Sequence, residues 1–150
     1  MQPSLRNMAE PLFNRLCLVG IGLIGSSIAR VAQKRGDIAK TLVVTTRRAE
    51  TLARVRELGL ADVVEADAAR AVEGCDGVIF CIPVGAYADA MRHIAPHLAP
   101  GAVLTDVGST KGSVVRDLAP LLPAGVHLVP AHPMAGTEHS GPDSGFPELF

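Results

Sequence analysis

The sequence predicts an α/β fold, a doubly wound and mainly parallel sheet with helices on both faces. Short apolar runs of strand length recur along the chain, and stretches with apolar residues at helical spacing separate them. Strands that are apolar throughout are typical of parallel sheets buried on both sides. The first of these runs ends at Val19 and continues directly into a glycine-rich turn and a helical pattern. This order of strand, glycine turn and helix is typical of dinucleotide-binding domains.

The glycine turn has the spacing Gly20-x-Gly22-x-x-Gly25. In this fingerprint the first glycine allows a tight turn, the second lets a pyrophosphate approach the backbone, and the third allows the helix to pack closely on the strand. Free backbone N–H groups in the first turn of the helix then face the phosphates. The turn therefore indicates a Rossmann-type domain, and its predicted cofactor-binding residues are Gly20, Gly22, Leu23, Ile24 and Gly25.

The remaining elements follow from periodicity and from turn residues. Apolar residues at helical spacing predict a first helix that ends at Gly36. The other predicted helices cover Ala49–Leu58, the stretch from a cap at Asp67 to Val72, Tyr87–Ile94 and Lys111–Leu118. The predicted strands are Leu16–Val19, Thr41–Thr46, Ala61–Val64, Gly77–Ile82, Gly101–Asp106 and Val126–Val129.

Size and charge suit one domain without an affinity for polyanions. The chain has 150 residues, 48% of them hydrophobic, and 14 Lys plus Arg balance 15 Asp plus Glu. This balance gives no reason to expect nucleic acid or an anionic membrane as a partner. No apolar run reaches the roughly 18 residues of a membrane span, and the first 14 residues do not resemble a secretory signal. We therefore predict a cytoplasmic protein with a leader, residues 1–14, and a dinucleotide-binding domain, residues 15–150.

Two further features concern the cysteines and the C-terminal part of the chain. Cys17, Cys75 and Cys81 have no C-x-x-C spacing, so we expect reduced thiols in a cytoplasmic protein and no metal site. From Pro130 onward the chain is rich in Gly, Pro, Ser and His, and its periodicity is lost. A ligand crevice needs a second wall, so we expect a following domain that is absent from this sequence.

The loop after the second strand bears on the choice of dinucleotide. NAD-selective sites carry an acidic residue about 20 positions beyond the glycine turn, where it binds the ribose 2′-hydroxyl. Thr46 occupies that position here, and Arg47 and Arg48 follow it. Guanidinium groups bind a 2′-phosphate well, so these three residues are predicted to bind the cofactor, with NADP or both dinucleotides favoured. The alternative is that the arginines only begin an exposed helix.

Two later glycine-containing loops carry polar side chains at the predicted carboxyl ends of strands. They are residues 105–112 and residues 131–141. Oxidation of an alcohol carbon requires its O–H proton to leave, and a neutral imidazole can accept that proton near neutral pH. His132 is therefore the candidate catalytic base, and the Ser109 hydroxyl is a candidate to position the same oxygen. The histidines of the chain show no spacing typical of a metal site.

Taken together, three motifs resemble the prephenate/arogenate (cyclohexadienyl) dehydrogenase family of tyrosine biosynthesis. These are residues 20–26, residues 106–112 and the distinctive stretch His132-Pro-Met-Ala-Gly-Thr-Glu-His-Ser-Gly141. The resemblance covers residues 14–150, which correspond to the nucleotide-binding domain of that family. Members continue into an all-helical domain that forms the homodimer and closes the substrate site.

The resemblance implies an oxidative decarboxylation of prephenate or arogenate with NAD or NADP. His132 would draw the proton from the substrate hydroxyl, and Ser109 would hold that hydroxyl in line. Thr137 and Glu138 would line the substrate pocket, while Pro83 and Val84 would contact the cofactor. The arginine that binds the substrate carboxylate in relatives belongs to the absent domain.

Three alternatives remain open. Other hydroxy-acid dehydrogenases share the glycine turn but use a lysine in their helical domain, which the His132 motif argues against. A non-catalytic nucleotide-binding module would have no reason to keep Ser109 and His132. The isolated 150 residues could also bind cofactor without turnover.

Overall fold

The computed structural model describes residues 10–150, and its centre is a six-stranded parallel sheet. Every neighbouring pair of strands is parallel, and the strand order is β3-β2-β1-β4-β5-β6. The strands are β1 (Phe13–Val19), β2 (Ala39–Thr45), β3 (Val63–Glu65), β4 (Gly77–Phe80), β5 (Val103–Asp106) and β6 (His127–Val129). The strand order reverses between β1 and β4, and ligands of open parallel sheets bind at the carboxyl ends beside such a reversal.

Within residues 10–150, five α-helices cover the two faces of the sheet. They are α1 (Leu23–Arg35), α2 (Ala49–Glu57), α3 (Ala68–Val72), α4 (Tyr87–Ile94) and α5 (Lys111–Leu118). Residues of α1 and α2 form one apolar cluster with the sheet, and residues of α3, α4 and α5 form the other. The doubly wound parallel fold predicted from the apolar runs is therefore confirmed.

The two clusters explain why the strands are apolar without alternation. Side chains in a strand alternate between its two faces. Leu16 and Leu18 accordingly belong to the cluster under α1 and α2, whereas Cys17 and Val19 belong to the opposite one. All four are buried, so both faces of β1 favour apolar residues and the sequence shows a continuous run.

Element boundaries differ from prediction mainly where a strand is not fully buried. The prediction that β1 starts at Leu16 is wrong, because the strand begins at Phe13, which pairs with Ala39. The first half of β1 alternates in exposure and includes polar residues, so hydrophobicity does not reveal it. Phe13 and Asn14 thus belong to the sheet and not to the predicted leader, residues 1–14, of which residues 1–9 lie outside the described part. The neighbouring strand β4 stops at Phe80, two residues before its predicted end.

Most other elements match their predicted limits closely. Helices α4 and α5 have the predicted bounds, and Gly36 ends α1 with φ +74° and an N–H bond to Ala32 O. Asp67 caps α3 as predicted, because its Oδ1 accepts from the Ala69 N–H at 3.0 Å. Among the described residues, no helix is long and apolar enough to cross a membrane.

The segment after residue 140 packs onto α1, which periodicity does not predict. The Arg30 guanidinium donates to Pro142 O at 2.9 Å, and the Phe146 N–H donates to Ser27 Oγ at 3.1 Å. Gly145 is buried there, and a Cβ at this position would lie 2.2 Å from Ser26 Oγ. Non-local contacts therefore order this stretch.

Candidate functional site

A cavity of about 630 Å³ lies at the carboxyl ends of the central strands, on both sides of the strand-order reversal. Its walls come from the turn after β1, the loops after β2, β3 and β4, and one face of α4. The lining residues are Val19, Gly20, Thr45, Thr46, Arg47, Arg48, Ala66, Asp67, Ala68, Ile82, Pro83, Ala86, Asp89, Ala90 and His93. Size, concavity and a few convergent polar groups are typical of small-molecule sites.

Gly20 of the glycine turn lines this cavity, whereas Gly22, Leu23, Ile24 and Gly25 lie outside its lining. Two glycines of the turn are sterically required. Gly20 has φ +96°, and a Cβ there would lie 2.6 Å from the carbonyl oxygen of Cys81. A Cβ at Gly25 would lie 2.9 Å from the carbonyl oxygen of Gly20. These two positions allow the turn and bring α1 close to β1 and β4.

Gly22 differs from these two glycines, because a Cβ at this position would meet no protein atom within 4 Å. It is the N-cap of α1 and has no side chain to satisfy the helix. The N–H groups of Leu23, Ile24 and Gly25 find no acceptor within residues 10–150; the first helical bond is Ser26 N–H to Gly22 O at 2.9 Å. The open backbone and unpaired donors form a cradle that suits an anionic group.

Thr46, Arg47 and Arg48 form one side of the cavity at the end of β2. Arg48 is the N-cap of α2, and its Nε lies 3.9 Å from Glu50 Oε2. Arg47 is exposed and makes no ion pair with any described residue. Its guanidinium is thus free to bind a ligand in the cavity, which is the property that selectivity for a 2′-phosphate requires.

A hydrogen-bonded pair that was not predicted from the sequence also lines the cavity. His93 Nε2 lies 2.9 Å from Asp67 Oδ1, and both residues line the cavity. The hydrogen bond from His93, and after it the Ala69 N–H, hold the pKa of Asp67 below its ordinary value. A pattern could have revealed this wall, because Ala86, Asp89, Ala90 and His93 recur at i, i+3, i+4 and i+7.

The loop after β4 connects the cavity with the neighbouring loops. Pro83 lines the cavity, and Val84 begins a short 3₁₀ turn that leads into α4. Val84 is also packed against the loop after β5: a Cβ at Gly108 would lie 2.6 Å from Val84 Cγ2. Two predicted cofactor residues thus lie between the cavity and the loop that carries Ser109.

Ser109 and His132 are on neighbouring loops at the same edge of the sheet, after β5 and β6. Both residues are exposed, and neither side chain forms a hydrogen bond with another described residue. They do not line the cavity, which ends at the loop after β4. The structure therefore leaves both side chains available to a ligand on the β5–β6 side of the edge.

Beneath these loops lies Asp106, which is only 1% exposed. Its Oδ2 accepts from the Gly108 N–H at 2.8 Å, from the Tyr87 hydroxyl at 3.2 Å and from Lys111 Nζ at 2.5 Å. Its Oδ1 accepts from the Ala131 N–H at 3.1 Å. Burial, together with the adjacent Asp106 carboxylate, raises the pKa of Tyr87, so its hydroxyl remains a donor. The sequence analysis assigned no role to Asp106 or Lys111.

Thr137 and Glu138 lie further along the same exposed loop, outside the cavity lining. Thr137 Oγ1 accepts from the His139 N–H at 3.2 Å, and Glu138 Oε1 lies 3.6 Å from His139 Nε2. Their contacts are local, so the described chain does not bring them together with Ser109 or His132. Within residues 10–150 no group of three or more His, Cys, Asp or Glu side chains could hold a metal ion.

Comparison with known proteins identifies the family. The family model for the nucleotide-binding domain of prephenate dehydrogenase matches residues 4–150. The cyclohexadienyl dehydrogenase of Zymomonas mobilis is 40% identical over 139 residues, which cover 93% of this chain and 47% of that protein. The prephenate dehydrogenase of Lactococcus lactis is 32% identical over 130 residues, 85% of this chain and 36% of the relative. The chain thus spans half or less of the length of these relatives.

Solved structures lead to the same family. The prephenate dehydrogenase from A. aeolicus in complex with hydroxyphenyl propionate and NAD+ superposes with a TM-score of 0.81 at 26% identity, covering 91% of this chain and 47% of that one. The Synechocystis arogenate dehydrogenase also gives a TM-score of 0.81, at 29% identity, and covers 91% of this chain and 46% of that one.

Proposed function

We propose a dehydrogenase function for this chain, which belongs to the family of prephenate dehydrogenase nucleotide-binding domains. In the complete protein it would serve the NAD(P)-dependent oxidative decarboxylation of prephenate, arogenate or both. The observation that carries the proposal is the placement of the Ser109 and His132 loops on the strands next to a nucleotide-sized cavity. A module that only bound a nucleotide would need the cavity but would not need the two loops that carry Ser109 and His132.

The residues at the cavity fit a dinucleotide. The open backbone at Gly22 and the free N–H groups that follow it would hold the pyrophosphate. Pro83 and Val84, between the cavity and the Ser109 loop, would contact the nicotinamide end. When bound, the nicotinamide supplies a hydride acceptor. The protein's part is to hold the cofactor and to exclude water around it.

We propose that the chain binds NADP, which carries a 2′-phosphate on its ribose, or accepts both NADP and NAD. Position 46 carries a threonine where NAD-selective domains carry an acid, and Arg47 lines the cavity without an ionic partner among the described residues. A guanidinium can form two parallel hydrogen bonds to a phosphate. Asp67, also in the lining, is already occupied by His93 and Ala69.

We assign to His132 the role of accepting the proton of the substrate hydroxyl. As hydride leaves the ring carbon that bears the hydroxyl, the hydroxyl proton passes to the imidazole of His132, and the C–O bond gains double-bond character. CO₂ then leaves from the opposite ring carbon, and its bonding electrons make the ring aromatic. The proton can return from His132 to the phenolate oxygen. Ser109 would hold that oxygen, and Thr137 and Glu138 would line the substrate pocket.

Residues outside this chain complete the proposal. The resemblance to the family implies that a helical domain supplies an arginine for the substrate carboxylate and forms a homodimer. The length of the relatives agrees with this expectation, since the chain covers 47% of the Zymomonas protein.

The test is His132→Asn in the complete protein. Asparagine keeps a hydrogen-bonding side chain but cannot take up a proton, so kcat should fall by about 100-fold or more. The Kd for NADPH and NADH, measured by fluorescence titration, should stay within about twofold. If kcat stays within about tenfold of wild type, a loss of about 1.4 kcal/mol or less, the role of His132 is refuted.

A further inference from the structure

Asp106 and Lys111 together hold the backbone on both sides of the candidate reaction site. Asp106 is buried at the end of β5, and Lys111 is the first residue of α5, with its side chain 33% exposed. Their charged groups are 2.5 Å apart. Buried charges occur in proteins when they are paired and fully hydrogen-bonded. This pair meets that condition through contacts that are almost all to loop backbone.

The first group of contacts is to Ala131, the residue before His132. The Ala131 N–H donates to Asp106 Oδ1 at 3.1 Å, and the Ala131 carbonyl oxygen accepts from Lys111 Nζ. Both polar groups of this one residue are therefore bound by the ion pair. The N–H belongs to the peptide that precedes Ala131 and the carbonyl to the peptide that leads into His132, so the two bonds restrict both peptide planes that flank Ala131 and thereby the direction in which the chain enters His132.

The second group of contacts is to Gly108, the residue before Ser109. The Gly108 N–H donates to Asp106 Oδ2 at 2.8 Å. Glycine is required here, because a Cβ would lie 2.9 Å from the same oxygen and 3.0 Å from the Tyr87 hydroxyl. Tyr87, fully buried in α4, donates to Asp106 from below. The carboxylate is thus held rigidly where it meets both loops.

We propose that Asp106 and Lys111 are positioning residues, which set the relative placement of Ser109 and His132 for proton transfer. The inference rests on the proposed function, because it assumes that these two side chains act on one substrate oxygen. Exposed loops would otherwise move independently, and displacement of a catalytic group by about 1 Å can cost about 100-fold in rate. The ion pair joins the two loops through residues 108 and 131, each one position before the side chain that acts.

Lys111 is the residue to change, since its side chain is partly exposed and Asp106 keeps its three other donors when the ammonium is removed. In the complete protein, Lys111→Met keeps the aliphatic stem and removes the ammonium. We expect kcat to fall by about 10- to 100-fold, with the Kd for NADPH unchanged within about twofold. Lys111→Arg keeps the positive charge and should recover most of that loss. Lys40→Met, at an exposed position in β2, is the matched control and should behave as wild type.

A double variant separates positioning from direct action on the substrate. If Lys111 acts through His132, then Lys111→Met combined with His132→Asn should be no slower than His132→Asn alone, within about twofold. Multiplication of the two losses would overturn the inference and indicate that Lys111 contacts the substrate itself. A kcat of Lys111→Met equal to wild type would also overturn it. A rate unaffected by His132→Asn would instead refute the proposed function.

Amide hydrogen exchange tests the contacts directly, in the wild-type protein and in Lys111→Met. The N–H groups of Gly108 and Ala131 donate to a buried carboxylate, whereas the N–H of His132 has no acceptor among the described residues. In the wild-type protein, amide exchange at residues 108 and 131 should therefore be slower than at residue 132 by at least about tenfold. At residue 131, exchange in the wild-type protein should also be slower than exchange in Lys111→Met. Equal exchange at the three positions would contradict the proposed restraint.

Discussion

The two halves of the carboxyl edge are built differently. Beside β1 and β4, the glycine turn and the open N-terminus of α1 present backbone groups, and Gly20 of that turn lines the cavity. On the side of β5 and β6, the buried Asp106 carboxylate and the partly exposed Lys111 ammonium bind the backbone of two exposed loops. The phosphates of the proposed dinucleotide do not change from one substrate to another, so the rigid backbone of the glycine turn would be sufficient to bind them. Side chains that transfer protons need accurate placement, and under the proposed function the Asp106–Lys111 pair would provide it for Ser109 and His132.

Among the substitutions that test this difference, Gly20→Ala should have the largest effect on stability and on NADPH binding. Gly20→Ala in the complete protein introduces a Cβ 2.6 Å from Cys81 O at a residue with φ +96°. Strain and overpacking together should lower the free energy of unfolding by about 3 kcal/mol or more, and NADPH binding should be lost. Gly22→Ala is the matched variant, since its Cβ meets no protein atom.

Gly22→Ala should change the free energy of unfolding by less than about 1 kcal/mol while weakening NADPH binding at least about tenfold. Chemical denaturation and fluorescence titration measure the two quantities. If Gly22→Ala binds NADPH as wild type does, the backbone at Gly22 is not the phosphate cradle.

A smaller effect is expected at Arg47. Arg47→Ala should weaken NADPH binding by about tenfold or more, because a charge-assisted hydrogen bond contributes about 1.5–3 kcal/mol, and should change NADH binding by less than about twofold. Arg56→Ala, an exposed arginine of α2 outside the cavity lining, is the control. Equal losses for the two dinucleotides, measured by titration calorimetry, would remove the basis for a preference for NADP.

The smallest effect concerns acid stability at the far wall of the cavity. The pKa of Asp67 is lowered by His93, so its contribution to stability is present above the ordinary Asp pKa of about 3.9 and is lost as the pH falls through the lower folded value. His93→Gln should therefore reduce stability slightly at pH 6 and converge with wild type once the pH falls below the lowered folded pKa of Asp67. Denaturation midpoints across this range measure the difference, with His97→Gln as the control. Parallel pH profiles for wild type and His93→Gln would contradict the prediction.

Most of the fold could be predicted from the sequence because strands buried on both faces must be apolar. All six strands and all five helices were predicted, and α4 and α5 have the predicted limits. The start of β1 was not, because Phe13, Asn14 and Arg15 lie at the open end of the sheet and alternate in exposure. There the Asp76 carboxylate, a distant residue, accepts from the N–H groups of Asn14 and Arg15 at 2.9 Å each.

For the site, the sequence was informative where the requirement is local. Gly20, Gly22 and Gly25 are spaced within six residues, and Thr46 and Arg47 follow one strand, so pattern alone indicated them. Asp67 and His93 are 26 residues apart, and from the sequence Asp67 was predicted only as a helix cap, while no role was predicted for His93. Their meeting in the cavity depends on how α3 and α4 pack against each other.

The sequence by itself therefore determined the sheet, the glycine turn and the two loops with candidate catalytic residues, because each depends on residues close together in the chain. Only the tertiary structure decided that Asp106 and Lys111 join residues 108 and 131 and that Gly145 packs on α1. Those contacts depend on the register of β5 against β6 and on the path of the last ten residues. Burial makes them possible: only inside a folded sheet can one carboxylate meet four donors from three separate parts of the chain.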